Sequence, residues 1–403
     1  MTSKPLDGNG RSSGAPVFFG MKIFYSTLWF ETHFRGSSVS KNTGWGRFVH
    51  LTHKALLDAG VEVMSDEPES ADFELFLGQP FFYLHPQLSP NAIFSMWEAT
   101  TIYHHWVRSF NCWDKCYVPS DWNRQVFFDC GVKTPIEKLT LPVDLTQFPY
   151  VERDPNLNTW NYIVQGVSLN DRKMIPEVAD LFLRDRMPSD TRLLIKLAPN
   201  QKDLPVIDAQ IHPQVRLIQA VLPLDEYYRR CFQDVHVSVN PSAGEGFGYL
   251  AAEPMATGMC CIVSDFSAHT EFTRIRPKIC LPIWTDEVLP QLVFKDGVYF
   301  EGKVGAIDAE DCYQKMIWTY EHREEALKIG KRASEWIRRV CSPERFASDL
   351  LTRISNQIAA SKRRAYAVDE EKLIDWDMMR QLYNLDREEF LSRRVRGGSQ
   401  GRI

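Results

Sequence analysis

The sequence predicts an α/β protein built from two doubly wound parallel-sheet domains in tandem. Three observations carry that reading. Short apolar runs alternate with helical stretches from Met21 to about residue 360. The alternation breaks at the polar, proline-bearing VERDPNLN (151–158) and then resumes at Asn161. The 403 residues also exceed one ordinary domain of roughly 100–200 residues.

Taken in order, residues 1–20 (MTSKPLDGNGRSSGAPVFFG) are rich in Gly, Ser and Pro and lack a hydrophobic centre, so they read as a disordered leader rather than a signal peptide. MKIFYSTL is a strand, residues 47–59 a helix closed by Gly60, and VEV the next strand. Strands over 73–77, 92–96, 116–119 and 136–141 alternate with helices near 100–111 and 122–130. These make an N-terminal domain over 21–155.

The second domain, 156–360, runs strand (161–165), helix (173–184), strands (192–197 and 215–218), helix (224–231), strand (235–239), helix (248–257) and strand (260–264). Two long helical segments over 309–340 and a further helix over 343–360 complete it, and residues 361–403 read as a helical, basic tail. Such sheets bind ligands beyond the carboxyl ends of their strands, so the cleft between the two domains is the expected site.

Composition narrows the classes. A net charge of -5 removes the blanket attraction to polyanions, and residues 1–150 alone carry 12 Lys+Arg against 15 Asp+Glu. The nine cysteines are scattered without a C-x-x-C pair, which fits neither a disulfide framework nor a zinc site and predicts a reducing, cytoplasmic setting. No run reaches the ~18 apolar residues of a membrane span, which leaves at most a peripheral membrane contact.

The densest chemistry lies in VHVSVNPSAGEGFGYLAAEPMATGMCCIVSD (235–265). A buried strand runs into Gly244, Glu245, Gly246, Phe247 and Gly248, and a helix follows. The glycines permit positive φ and close approach of a ligand, and the free N–H groups at the helix start form an anion site suited to a diphosphate. Glu245 in the loop and Glu253 eight positions on offer carboxylates to vicinal hydroxyls. No D-x-D metal motif accompanies them, so no metal ligand and no cofactor are expected.

This string resembles the signature of the retaining glycosyltransferases of family 4 (glycosyl transferases group 1), P-S-x-x-E-G-F-G followed by E-A-M-A-x-G. Pro241, Ser242, Glu245, Gly246, Phe247, Gly248, Glu253, Met255, Ala256 and Gly258 match, while Pro254 replaces the usual alanine and predicts a late or kinked helix beside Glu253. The resemblance implies a GT-B fold, two Rossmann-like domains facing a cleft, with the acceptor on the first and a nucleoside-diphosphate sugar, such as a UDP- or GDP-sugar, on the second. It implies that Glu245 contacts the transferred sugar and Glu253 holds the ribose, with the amides of Gly246, Phe247 and Gly248 near phosphate and sugar.

A second segment, VQGVSLNDRKMIPE (164–177), resembles the family string G-[RS]-L-x-x-x-K. It implies that Lys173 neutralises the leaving diphosphate, with Arg172 beside it and Ser168 at the usual arginine position. The loop Gly44-Trp45-Gly46-Arg47-Phe48 resembles glycine-rich loops that approach the donor, which makes Gly46 a donor-binding candidate. FSMWEATTIYHHW, CYVPSDWNRQVF and LPVDLTQFPY resemble further family segments, the last lacking the usual glycine before Val143.

Glu98, just past a strand end, is the acceptor-side candidate for catalysis beside Glu245 and Lys173. His104 and His105 are weaker ones, and Glu271 matches a family position near the donor sugar. The expected activity is a metal-independent, retaining hexosyl transfer (EC 2.4) to the hydroxyl of a glycan or lipid-linked glycan. Two other readings remain. One is a nucleic-acid acceptor, encouraged only by the arginines of LSRRVRGGSQGRI. The other is a non-catalytic nucleotide-sugar-binding protein, resting on the departures at Ser168, Pro254 and Val143.

Overall fold

The computed structural model describes residues 20–26, 44–64, 70–80, 86–166, 172–184, 186–198, 212–290, 293, 301–361 and 364–365. Ser168, the leader to residue 19 and nearly all of 361–403 lie outside the described residues.

In the first half, β1 (Lys22–Ser26), α1 (Gly44–Asp58), β2 (Glu62–Met64), β3 (Phe73–Leu77), β4 (Leu88–Ser89), β5 (Asn91–Phe94), α2 (His104–Phe110), β6 (Cys116–Val118), α3 (Asp121–Asp129) and β7 (Ile136–Lys138) follow one another. All five residues of β3, FELFL, are buried, the pattern of a strand covered on both faces. Helix α1 buries Phe48, Leu51, Thr52, Ala55 and Leu56, spaced three or four apart so that they form one stripe against the sheet. Helix α3 starts where the Ser120 side chain accepts from the Asn123 amide, satisfying one of the orphan donors of its first turn.

The second half comprises β8 (Trp160–Gln165), α4 (Ile175–Leu183), β9 (Thr191–Leu197), β10 (Val215–Gln219), α5 (Leu224–Cys231), β11 (Val237–Asn240), α6 (Tyr249–Ala256) and β12 (Cys260–Ser264). A 3-10 turn (Ser267–His269), α7 (Thr270–Thr273), β13 (Leu281–Ile283), β14 (Thr285–Val288), β15 (Val304–Ile307), α8 (Ala309–Glu321), α9 (Arg323–Val340), α10 (Pro343–Ala360) and β16 (Arg364–Ala365) complete it.

Each half holds a six-stranded parallel sheet, ordered β2-β1-β3-β5-β6-β7 and β10-β9-β8-β11-β12-β13. Both are doubly wound, and in the second the order reverses between β8 and β11, the position where ligands gather outside the strand ends. The strands β13, β14 and β15 and the turn at 267–273 are too short, at three or four residues per element, to show as periodic signals, and the sequence reading missed them.

Helix α10 departs from its expected place in the second domain. It crosses back to pack on α1, where Phe346 meets Phe48 at a ring-centroid distance of 6.4 Å. One continuous apolar cluster consequently joins Phe48 and Phe94 of the first half to Met255, Ala333 and Leu350 of the second. No described helix is long and apolar enough to cross a membrane.

Candidate active site

The GEGFG loop leaves the carboxyl end of β11 and enters α6 at Gly248, which adopts φ 98°. Gly248 alone of the three loop glycines uses left-handed freedom, and a Cβ there would in addition meet the His269 ring at 2.7 Å. Gly244 and Gly246 are required for another reason. A Cβ on Gly244 would lie 2.2 Å from the Glu98 carbonyl oxygen, and one on Gly246 would overlap Met96. The first domain's MWE segment is thus pressed against the GEGFG loop of the second.

Asn123 ties that contact together. Fully buried, it accepts from the Trp97 amide at 2.7 Å and donates to the Gly246 carbonyl at 2.9 Å. The segment CYVPSDWNRQVF contains it, but a lone asparagine on a helix gives no warning of a bridge to a loop 123 residues away.

Four charged groups meet here. Lys173 donates to Glu245, and Arg172 donates to Glu98 at 3.0 Å with its guanidinium 3.8 Å from Glu245. Lys173, Glu245 and Glu98 are each less than a tenth exposed. Burial alone would raise the Glu245 carboxyl, but Lys173 and Arg172 outweigh it and bring it down to about 2. Glu98 ends on the other side: burial pushes it up more than Arg172 pulls it down. Two carboxylates with separated protonation tendencies therefore face one pair of cations.

The turn after β12 cradles Glu245. The Glu245 amide donates to Ser267 Oγ at 2.7 Å, and its carbonyl accepts from Ala268 at 3.2 Å. Ser264 donates its hydroxyl proton to the Ser242 carbonyl at 2.6 Å, so the 3.0 Å contact with His269 requires the proton on His269 Nδ1. Burial lowers His269 to about 4 and keeps it neutral. Sequence reasoning missed Ser267 and His269 because neither belongs to a recognisable spacing.

Glu253 lies on α6, buried, and both of its carboxylate oxygens accept from Arg47 of α1. The expected disturbance by Pro254 is small. Helix α6 starts at Tyr249 and continues past the proline, and the Leu250 carbonyl that Pro254 cannot serve is faced by Gln165 Nε2 at 3.5 Å.

Gly46 is buried at the start of α1. The other candidates lie farther out in the network. Glu271 accepts from the Asp121 amide at 2.7 Å and pairs with Lys138 at 3.0 Å, which makes it a strut between the domains. His104 is exposed, and His105 stacks on Tyr103. Among the described residues no group of three or more His, Cys, Asp or Glu side chains could hold a metal ion.

Two Rossmann-like domains facing across this contact define a GT-B fold, and known structures share it. Sucrose-phosphate synthase from Thermosynechococcus elongatus matches with a TM-score of 0.63 at 14% identity, over 85% of this chain and 100% of that one. HepE from Anabaena, in complex with UDP and glucose, matches with a TM-score of 0.54 at 10% identity, over 83% of this chain and 100% of that one. Trehalose-6-phosphate synthase, studied with bisubstrate glycomimetics for glycosyltransfer with retention, matches with a TM-score of 0.52 at 11% identity over 84% of each chain. No protein-family model and no curated protein matches the sequence, so the likeness is one of fold.

Proposed function

We propose that the protein is a retaining glycosyltransferase that moves a hexose-type sugar from a nucleoside diphosphate to a hydroxyl of a glycan or lipid-linked glycan. The observation that carries this reading is the buried cluster of Glu245, Lys173, Arg172 and Glu98 at the carboxyl end of β11, where both domains contribute. A departing diphosphate builds negative charge, and fixed cations held in a dry site stabilise it without reorganisation. The fold likeness to HepE bound to UDP and glucose supports a UDP-sugar as the donor class.

The two carboxylates suit different tasks. Glu245, held ionised at about 2, is a poor proton acceptor at neutral pH and a strong acceptor of hydrogen bonds from sugar hydroxyls. Glu98, whose carboxyl is raised, is the better partner for an acceptor hydroxyl. In the step we propose, the bond from the anomeric carbon to the phosphate oxygen breaks. The acceptor oxygen bonds to that carbon from the same face, and the hydroxyl proton passes to the departing phosphate oxygen. Positioning and charge stabilisation then supply the rate, and a metal ion is not required.

Lys173→Ala and Glu245→Ala are each expected to lower turnover by roughly a hundredfold or more while the fold persists by circular dichroism. Near-normal turnover in either variant would remove that residue from the chemistry. UDP-, GDP- and ADP-sugars scored by thermal shift identify the donor, and no stabilisation by any of them counts against the reading.

A further inference from the structure

Glu253, the residue read as the ribose ligand, is not open to a ligand. Arg47 reaches it from the first domain, and one guanidinium nitrogen donates to both carboxylate oxygens. The guanidinium lies 5.3 Å from the Tyr227 ring centroid and 6.0 Å from that of Phe148. Tyr227 is itself fixed, donating to Gln165 at 2.6 Å. The Arg47 side chain is 12% exposed and that of Glu253 2%, and Arg47 Nε is buried without a hydrogen-bond partner among the described residues.

A guanidinium buried in this way needs an anion. Ribose hydroxyls that take over Glu253 are neutral and leave Arg47 as an uncompensated buried charge, which is the costly way to break such a pair. The diphosphate is the part of a nucleotide sugar that carries negative charge, and guanidinium matches its oxygens in planar, bidentate geometry.

We propose that Arg47 is a donor-exchange residue: it pairs with Glu253, and on donor binding it passes to the donor diphosphate as the ribose hydroxyls take its place on the carboxylate. This rests on the reading of the cleft as a nucleotide-sugar site. It makes donor occupancy sensed by α1, an element of the acceptor-side domain, and it gives the diphosphate a cation that the Lys173 and Arg172 segment does not supply.

The exchange predicts that a nucleoside binds poorly because it must break the pair with nothing to offer Arg47. The test is calorimetric binding to the full chain of UDP, GDP and ADP, and then of the nucleoside corresponding to whichever diphosphate binds. In Arg47→Gln the nucleoside diphosphate should weaken by roughly tenfold or more, the scale of a charge-assisted hydrogen bond, while the nucleoside binds as well as before or better.

The readout is the ratio of the two affinities, which a merely structural role does not move, since loss of Glu253 positioning weakens both ligands alike. Arg47→Lys keeps a charge at the site, guards against a folding defect in the glutamine variant, and should fall between that variant and the unsubstituted protein. A ratio unchanged in both variants overturns the exchange and leaves the nucleotide site standing. Absence of binding by all three diphosphates overturns the site reading and the exchange with it.

Discussion

Lys173 and Glu245 hold opposite charges in a site nearly closed to water, and their environment tunes the ionisation of everything near them. The neutral buried histidines give a pH signature. His269 and His236 are both lowered to about 4, chiefly by burial. Between that value and the unfolded value of ~6.5, the unfolded chain binds a proton that the folded chain refuses. Their effect on stability is therefore absent above about 6.5 and grows into a loss as pH falls toward 4. Glu98 and Glu253, raised by burial, act with the opposite sign, favouring the fold as they protonate.

The share of His236 can be isolated because it stacks on Trp160 and accepts from the Asn161 amide, remote from the cleft chemistry. His236→Asn should flatten the decline in urea midpoint between pH 7 and pH 5. An identical pH profile for variant and parent would show that His236 does not titrate as described.

At the scale of elements, α6 is gripped from two sides, by the sheet and by α9. Gly330 of α9 sits where a Cβ would lie 2.1 Å from the Gly258 carbonyl oxygen and under 3 Å from the backbone of Met259 and Cys260. Alanine normally gains ~1 kcal/mol over glycine inside a helix. Here backbone atoms block it, and overpacking of this kind costs ~1–3 kcal/mol. Gly330→Ala should therefore lower the melting temperature, and a rise would mean that α9 can shift away from α6 freely.

The same scale shows what was legible in the sequence. Strands such as FELFL, apolar but for Glu74, and CCIVS, apolar up to Ser264, stand out as short apolar runs, and α1 by its buried stripe. The antiparallel pair β14 and β15 did not, because only Val288 of TDEV is apolar and its partner contains a glycine, so pairing rather than periodicity defines it. The placement of α10 was hidden for a related reason. An amphipathic helix declares that it has an apolar face without declaring which domain receives it.

For the whole molecule, the continuous cluster from Phe48 through Met255 to Leu350 makes the two domains share one core near the cleft. A donor that bridges them should stabilise both together: at a hundred times its Kd a nucleoside diphosphate is expected to add ~2.7 kcal/mol and raise the melting temperature in one transition. Two separate transitions, only one of them shifted, would contradict that coupling. The proposed transfer is expected to survive EDTA, and a strict need for added manganese or magnesium would overturn the proposed metal-independent mechanism.

The α/β class and the strand and helix order near the motif were legible in the chain, because they follow from local periodicity, whereas Glu245, Glu253 and Lys173 stood out through the resemblance of two short segments to a family signature. It took the folded molecule to reveal that Glu98 meets Arg172, that Asn123 ties Trp97 to Gly246, and that Arg47 occupies Glu253. These partners lie 26 to 206 residues apart in the chain, and no local pattern encodes a contact that forms when two separately wound sheets bring their loops together.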